Sequence, residues 1–152
     1  MGVFMKLLSN EVIVKYDYAK TKSEVDNFMK DFEEDYYKYV HLLPPSISSH
    51  LSEIKVQSSR IRTSDIEMYA IKREELEDKF QDTLETILKV TDNFSYEEQR
   101  YFKGKYFLGN TDDVLYEELR CGETHFKHIK KSSIIKFALA LNLAIPKPKM
   151  TP

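Results

Sequence analysis

The side chains best equipped for chemistry fall between positions 123 and 136: Glu123, Thr124, His125, Lys127, His128, Lys130, Lys131 and Lys136. Lysine donates to guanine edges, threonine meets a thymine methyl and glutamate accepts from cytosine N4. Lys130 and Lys136 are expected at phosphates, where each neutralised charge releases counterions and adds affinity without sequence preference. His125 and His128 are three residues apart and could face one metal ion, but no third ligand stands at metal spacing, so no metal is expected. Cys121 has no designated base and occupies an apolar register position, which reads as a small core residue rather than a nucleophile. No paired carboxylates and no nucleophile–base set appear, and the chain is expected not to be an enzyme. There is no glycine-rich phosphate loop. Glu33, Glu34 and Asp35 lack the glycine-bearing pattern of a calcium loop and read as a solvated helix face. Tyr101, Phe102, Tyr106 and Phe107 could stack on bases, but their helical spacing makes them core first. His41 and His50 have no partners in the sequence.

These residues need elements to hold them. A short helix is predicted over 112–119, with Val114, Leu115 and Leu119 inward. Arg120-Cys-Gly-Glu123 breaks it, and a longer helix follows over about 123–142, with Phe126, Ile129, Ile134, Phe137, Ala138 and Leu141 inward. A short helix, a tight turn and a longer helix with a basic outer face make a helix-turn-helix, whose second helix enters the major groove. Helix pairs of this kind also occur in ordinary bundles, and a basic face is often only a solvated one. Upstream, Ser95-Tyr-Glu-Glu98 is a capping box opening another helix, and Leu108-Gly-Asn-Thr-Asp112 is a turn with a new N-cap.

In the front half, Thr21-Lys-Ser-Glu24 reads as a capping box. Val25, Phe28, Met29, Phe32, Tyr36, Tyr39 and Val40 then recur at three- and four-residue steps, predicting a helix over roughly 22–42. Pro44-Pro45 ends it, and the Ser/Pro-rich stretch 44–62 is the linker candidate. A second helix, about 64–90, carries Ile66, Tyr69, Ala70, Leu76, Phe80, Leu84, Ile87 and Leu88 on one stripe. At 1.5 Å per residue it would be ~39 Å long, more than so small a domain covers. Part of the stripe, chiefly Leu76, Phe80, Leu84 and Leu88, is therefore expected to meet a second copy, a partner or the first helix. Residues 12–18 read as a short strand or an extended lead-in. The tail from Ile145 on is expected to be disordered.

Composition sets the bounds. The chain has 152 residues, 41% hydrophobic and 32% charged, which is neither a disordered tail nor a membrane protein. With 4 Gly and 5 Pro it is poor in turns and favours helices. A single cysteine allows no internal disulfide and suits a reducing cytoplasm. No apolar run approaches the ~20 residues of a membrane span, and the first residues do not read as a signal peptide. The net charge of −2 hides an asymmetry: residues 1–94 carry 13 Lys+Arg against 18 Asp+Glu, whereas residues 95–152 carry 10 against 7. An acidic front and a basic end suit two kinds of partner.

The segment Cys121-Gly-Glu-Thr-His-Phe126-Lys-His-Ile129-Lys-Lys-Ser-Ser133-Ile134-Ile-Lys-Phe137 resembles region four of bacterial sigma factors, with the apolar register matching at 121, 126, 129, 133, 134 and 137. Over nearly the whole chain the order of motifs resembles the phage regulators of the ArpU type, the autolysin-regulator-like late transcription activators. Asp17-Tyr-Ala-Lys-Thr21-Lys-Ser-Glu-Val25-Asp-Asn-Phe-Met29 is similar to their opening, and a Ser-rich stretch and a long acidic helix follow. Their sigma-like end is echoed by His125-Phe126-Lys-His-Ile-Lys130 through Phe137-Ala138-Leu-Ala-Leu141, with Ser133 where that pattern has alanine. The resemblance implies an all-α fold with a helical N-terminal part (residues 1–62) and a C-terminal sigma-region-four-like helix-turn-helix bundle (63–145), then a tail (146–152). It implies a phage late-gene regulator in the bacterial cytoplasm. Its partners would be double-stranded promoter DNA, host RNA polymerase or another regulator, and a second copy as a homodimer, with no cofactor and no membrane. The rival expectation is a protein-interaction adaptor that binds no DNA.

Overall fold

The computed structural model describes residues 6–41 and 63–148, and these are all-helical, without a named strand. The helices are α1 (Asn10–Ile13), α2 (Tyr18–His41), α3 (Thr63–Asp92), α4 (Tyr96–Tyr106), α5 (Asp112–Leu119) and α6 (Glu123–Ala140). The predicted linker lies outside the described residues. No described helix is long and apolar enough to cross a membrane.

The chain forms two compact units, and they do not follow a division at 62/63: Met1–Met29 joins Thr86–Pro152 in one, and Lys30–Glu85 makes the other. In the first unit α6 is the central element. Phe126, Ile129 and Ser133 are buried as the apolar register implies, but Ser132 and Ile135 are buried too, so residues 132–135 are enclosed around a full turn of the helix. A period-based reading assigns such a helix one apolar face and misses the others. Here α4 packs along one side, and the N-terminal segment closes another: the Leu8 amide donates to Ser132 Oγ at 2.7 Å. The rings of Phe94, Phe102 and Phe137 interlock at the centre, with 5.7 Å and 4.5 Å between successive centroids.

Local chemistry sets the helix ends. The Ser95–Glu98 capping box forms both of its hydrogen bonds. Thr111 caps α5 by accepting from Val114 N–H. Gly104 lets α4 and α5 close up, since a Cβ there would stand 2.5 Å from Leu115 Cδ2. Helix α6 ends with Asn142 at φ 59° and a Leu143 amide reaching back to Ala138 O at 2.7 Å, the left-handed cap that satisfies last-turn carbonyls.

Three expectations in this unit are corrected. Residues 12–18 are neither strand nor lead-in: Ser9 caps the short α1, and Asp17, not Thr21, caps α2 through Lys20 N–H at 3.1 Å. Thr21 is fully buried, and its hydroxyl accepts from the Ile145 amide at 3.0 Å. The start of the tail is ordered for the same reason. Tyr16 and Pro146 form an antiparallel bridge, framed by Asp17 N–H to Ile145 O at 2.8 Å and Lys147 N–H to Lys15 O at 3.0 Å. Pro146 occupies the place in that bridge where no N–H is required.

In the second unit the later half of α2 and the earlier part of α3 hold each other through one ring. Phe80 stacks on Phe32 with centroids 5.1 Å apart and also meets Tyr36 and Tyr39. Arg73 lies over the Tyr39 ring at 5.0 Å, and Lys79 pairs with Asp35 at 2.9 Å. Of the occupants expected for Phe80, a second copy, a partner or the first long helix, it is the helix that engages it. Leu76 and Leu84 are half-buried. The side chains of Ile66 and Tyr69 lie outside the description. Ala70 is exposed, so the apolar stripe of α3 is shorter than its spacing suggested. Leu88, which follows in the first unit, is 39% exposed, and the buried positions there are Ile87 and Thr91.

Candidate nucleic-acid interface

Helices α5 and α6 are joined by three residues, Arg120 to Gly122. The turn depends on Arg120 adopting φ 49°, a left-handed conformation that ends α5 at once. Gly122 then serves as N-cap of α6 without a side-chain bond, leaving the first-turn amides of α6 without that partner. Cys121 is half-buried within this turn and not in the core. Burial and the nearby Glu97 carboxylate push its thiol above the usual range, away from nucleophilic reactivity.

The eight residues expected to read DNA separate into two sets. Glu123, Thr124, His125, Lys127 and Lys131 are exposed on α6. Lys127 shares an exposed ion pair with Glu123 at 3.2 Å, a contact too wet to hold it from a phosphate. His125 pairs with Glu97 at 2.8 Å. The Lys131 ammonium stands 5.7 Å above the Tyr18 ring and has no acid partner among the described residues.

The other three are used inside the protein, which corrects the phosphate assignment of Lys130 and Lys136. Lys130 reaches back to Asp112 at 2.8 Å and ties α6 to the start of α5. Lys136 pairs at 2.7 Å with Glu98, whose carboxylate is fully buried, and also donates to the Lys6 carbonyl. Ser132 Oγ and the Ser95 amide complete the shell of Glu98 at 2.7 Å and 2.9 Å. His128 is half-buried with Nε2 2.6 Å from Leu8 O. His125 and His128 therefore serve separate partners. The sequence could not separate these sets, because the acids and carbonyls that claim Lys130, Lys136 and His128 lie 18 to 130 positions away.

Asp112 is the second polar node. Burial alone would push its carboxyl up, but hydrogen bonds from Lys130, Lys105 and Tyr101 outweigh that and hold it at about 2. Tyr101 Oη donates to it at 2.9 Å. This cluster fixes the angle at which α5 meets α4 and α6, and with it the presentation of the exposed face.

The exposed face of α6 has a neighbour that sequence reasoning did not anticipate. Asn10, Ile13 and Val14 from α1 and its C-cap stand opposite Thr124, His125, Lys127, His128 and Lys131, enclosing an open groove of about 560 Å³. Lys15 follows directly, and Lys147 is bonded to it through the backbone. The one local hint was the alternation Pro146-Lys147-Pro148, which leaves Lys147 with the only amide donor in that tripeptide. Its acceptor could not be read from the sequence.

No protein family, curated protein or solved structure matches the chain.

Proposed function

We propose that the chain is a sequence-specific DNA-binding transcription regulator of the phage late-activator kind, acting beside host RNA polymerase in the bacterial cytoplasm and carrying out no chemical step. The observation that carries the reading is the division of α6. Residues 132–135, 137 and 138 in its later turns are buried, while Thr124, His125 and Lys127 in its first turns, and Lys131 beyond them, are exposed behind a three-residue turn. A helix anchored at one end and bare at the other suits insertion into a major groove. Thr124 and Glu123 supply groups that discriminate bases, and Lys127 and Lys131 supply cations for guanine edges or phosphates. The second unit would meet polymerase or another regulator through exposed Tyr36, Tyr37, Val40, Met68 and Ile71. Residues 30–41 and 63–85 there carry five Lys+Arg against twelve Asp+Glu, so this surface repels DNA and suits a protein.

One observation favours the adaptor reading. The helix that would cross the phosphate backbone, α5, carries Asp112, Asp113, Glu117 and Glu118 and no basic residue. Asp112 is neutralised by Lys105 and Lys130, and Arg100 stands 3.7 Å from Glu118, which leaves Asp113 and Glu117. A binding titration on duplex of random sequence separates the two readings. A DNA binder loses affinity linearly in log–log terms as salt rises, with a slope that the double change Lys127→Ala and Lys131→Ala reduces by ~1 for each phosphate contact removed. Lys136→Ala, by contrast, is expected to lower stability and leave the slope unchanged. Wild-type protein without salt-dependent affinity would overturn the DNA reading in favour of the adaptor.

A further inference from the structure

The bridge between Tyr16 and Pro146 sets Lys15 directly opposite Lys147. Residues directly opposite in an antiparallel pair project to the same face with Cβ atoms ~5 Å apart, and like charges so placed destabilise the pairing. Both lysines are exposed, and neither has an acid partner among the described residues. The nearest acid in sequence, Asp17, accepts from Lys20 N–H at the start of α2. Backbone and Thr21 hydroxyl hydrogen bonds hold the tail here, so the two lysines stay at opposed positions. Val14, the residue before Lys15, lines the groove that Lys131 of α6 also lines.

We propose that Lys15 and Lys147 form a clamp for the phosphate backbone of duplex DNA, flanking the groove that α6 enters. The clamp rests on the DNA-binding reading and extends it to two elements outside the helix-turn-helix: the α1–α2 connection and the tail. A bound phosphate would replace the mutual repulsion of two ammonium groups with two charge-assisted hydrogen bonds. The contact carries no base preference and sets the register of the recognition helix on the duplex.

The test uses the full chain and a short duplex of random sequence, titrated between about 50 and 200 mM salt. Two lost phosphate contacts, at ~0.9 each in slope, make wild-type affinity fall about twelve-fold further over that range than the affinity of the Lys15→Ala, Lys147→Ala double variant. Equal slopes for wild type and this variant, with a reduced slope for the Lys127→Ala, Lys131→Ala variant, would overturn the clamp and leave the DNA reading standing. Wild-type protein with no salt-dependent affinity would overturn both. Thermal melting without DNA supplies the second readout. The double variant is expected to melt at or above the wild-type temperature, because a repulsion has been removed, and Lys15→Glu is expected to melt higher while binding DNA more weakly. A double variant that melts several degrees lower would show that the lysines hold the tail in place, against the proposal.

Discussion

A lysine contributes according to what faces it, and α6 contains all three cases. Lys127 and Lys131 point to solvent, Lys130 neutralises Asp112, and Lys136 is committed to the buried Glu98. A buried pair resists loss of one partner far more than an exposed pair does, because the survivor is left charged and dry. The Asp112 node gives a pH signature. Its carboxyl is held at about 2 in the folded chain, below the ~3.9 of an unfolded aspartate. A depressed carboxyl stabilises the fold fully above the unfolded value, and that contribution disappears as pH falls toward 2. Urea unfolding of wild type is therefore expected to weaken between about pH 4 and pH 2, with a smaller change in that window for Asp112→Asn. Equal pH dependence for the two proteins would show that the node is not what acid dismantles.

At the scale of elements, the contact of α4 with α5 depends on a residue without a side chain. Gly104 sits in the last turn of α4, where alanine would ordinarily gain up to ~1 kcal/mol of helix stability. Leu115, 1% exposed, has no room to withdraw from the added methyl. Overpacking of this kind costs ~1–3 kcal/mol, so Gly104→Ala is expected to be destabilising by about 1 kcal/mol net. The check is a lower urea midpoint at unchanged m value. A gain in stability would mean that α5 moves aside easily, and that the presentation of α6 is less rigid than its polar nodes imply.

For the molecule as a whole, the two units differ in charge and in what their exposed faces suit. The aromatic seam around Phe80 uses residues of one chain, so this part of the stripe is covered without a second copy. The same unit is strongly acidic, so bringing two copies together through it concentrates like charge. Sedimentation equilibrium at micromolar concentration is expected to give an 18.0 kDa species at low salt, with self-association gaining only when salt screens the repulsion. That sign is opposite to the one expected for DNA binding. A dimer that weakens with salt would point to a charge-paired interface elsewhere. Phe80→Asp is expected to unfold its unit rather than to separate subunits, because it sets a charge among Phe32, Tyr36 and Tyr39.

Much of the architecture was legible in local order. The Ser95–Glu98 box, the Thr111 cap and the breaks near 107 and 120 depend on residues within four positions of one another, and short-range chemistry decides them. The apolar period likewise placed Phe126, Ile129, Ile134 and Phe137 in the core, since a helix repeats every 3.6 residues whatever its surroundings. Only the tertiary structure decided which polar residues remain available to a partner. Thr21 matches a cap in sequence and is instead the buried anchor of the tail. Ser132 lies outside the predicted apolar register and is enclosed, because the N-terminal segment returns to cover it. Lys136 and Lys131 are the same residue type on the same helix, yet one is consumed by Glu98 and the other is left outward. Periodicity reports which way a side chain faces on its own helix. What waits there is set by segments 18 to 130 positions distant, and that information exists only once the chain has folded.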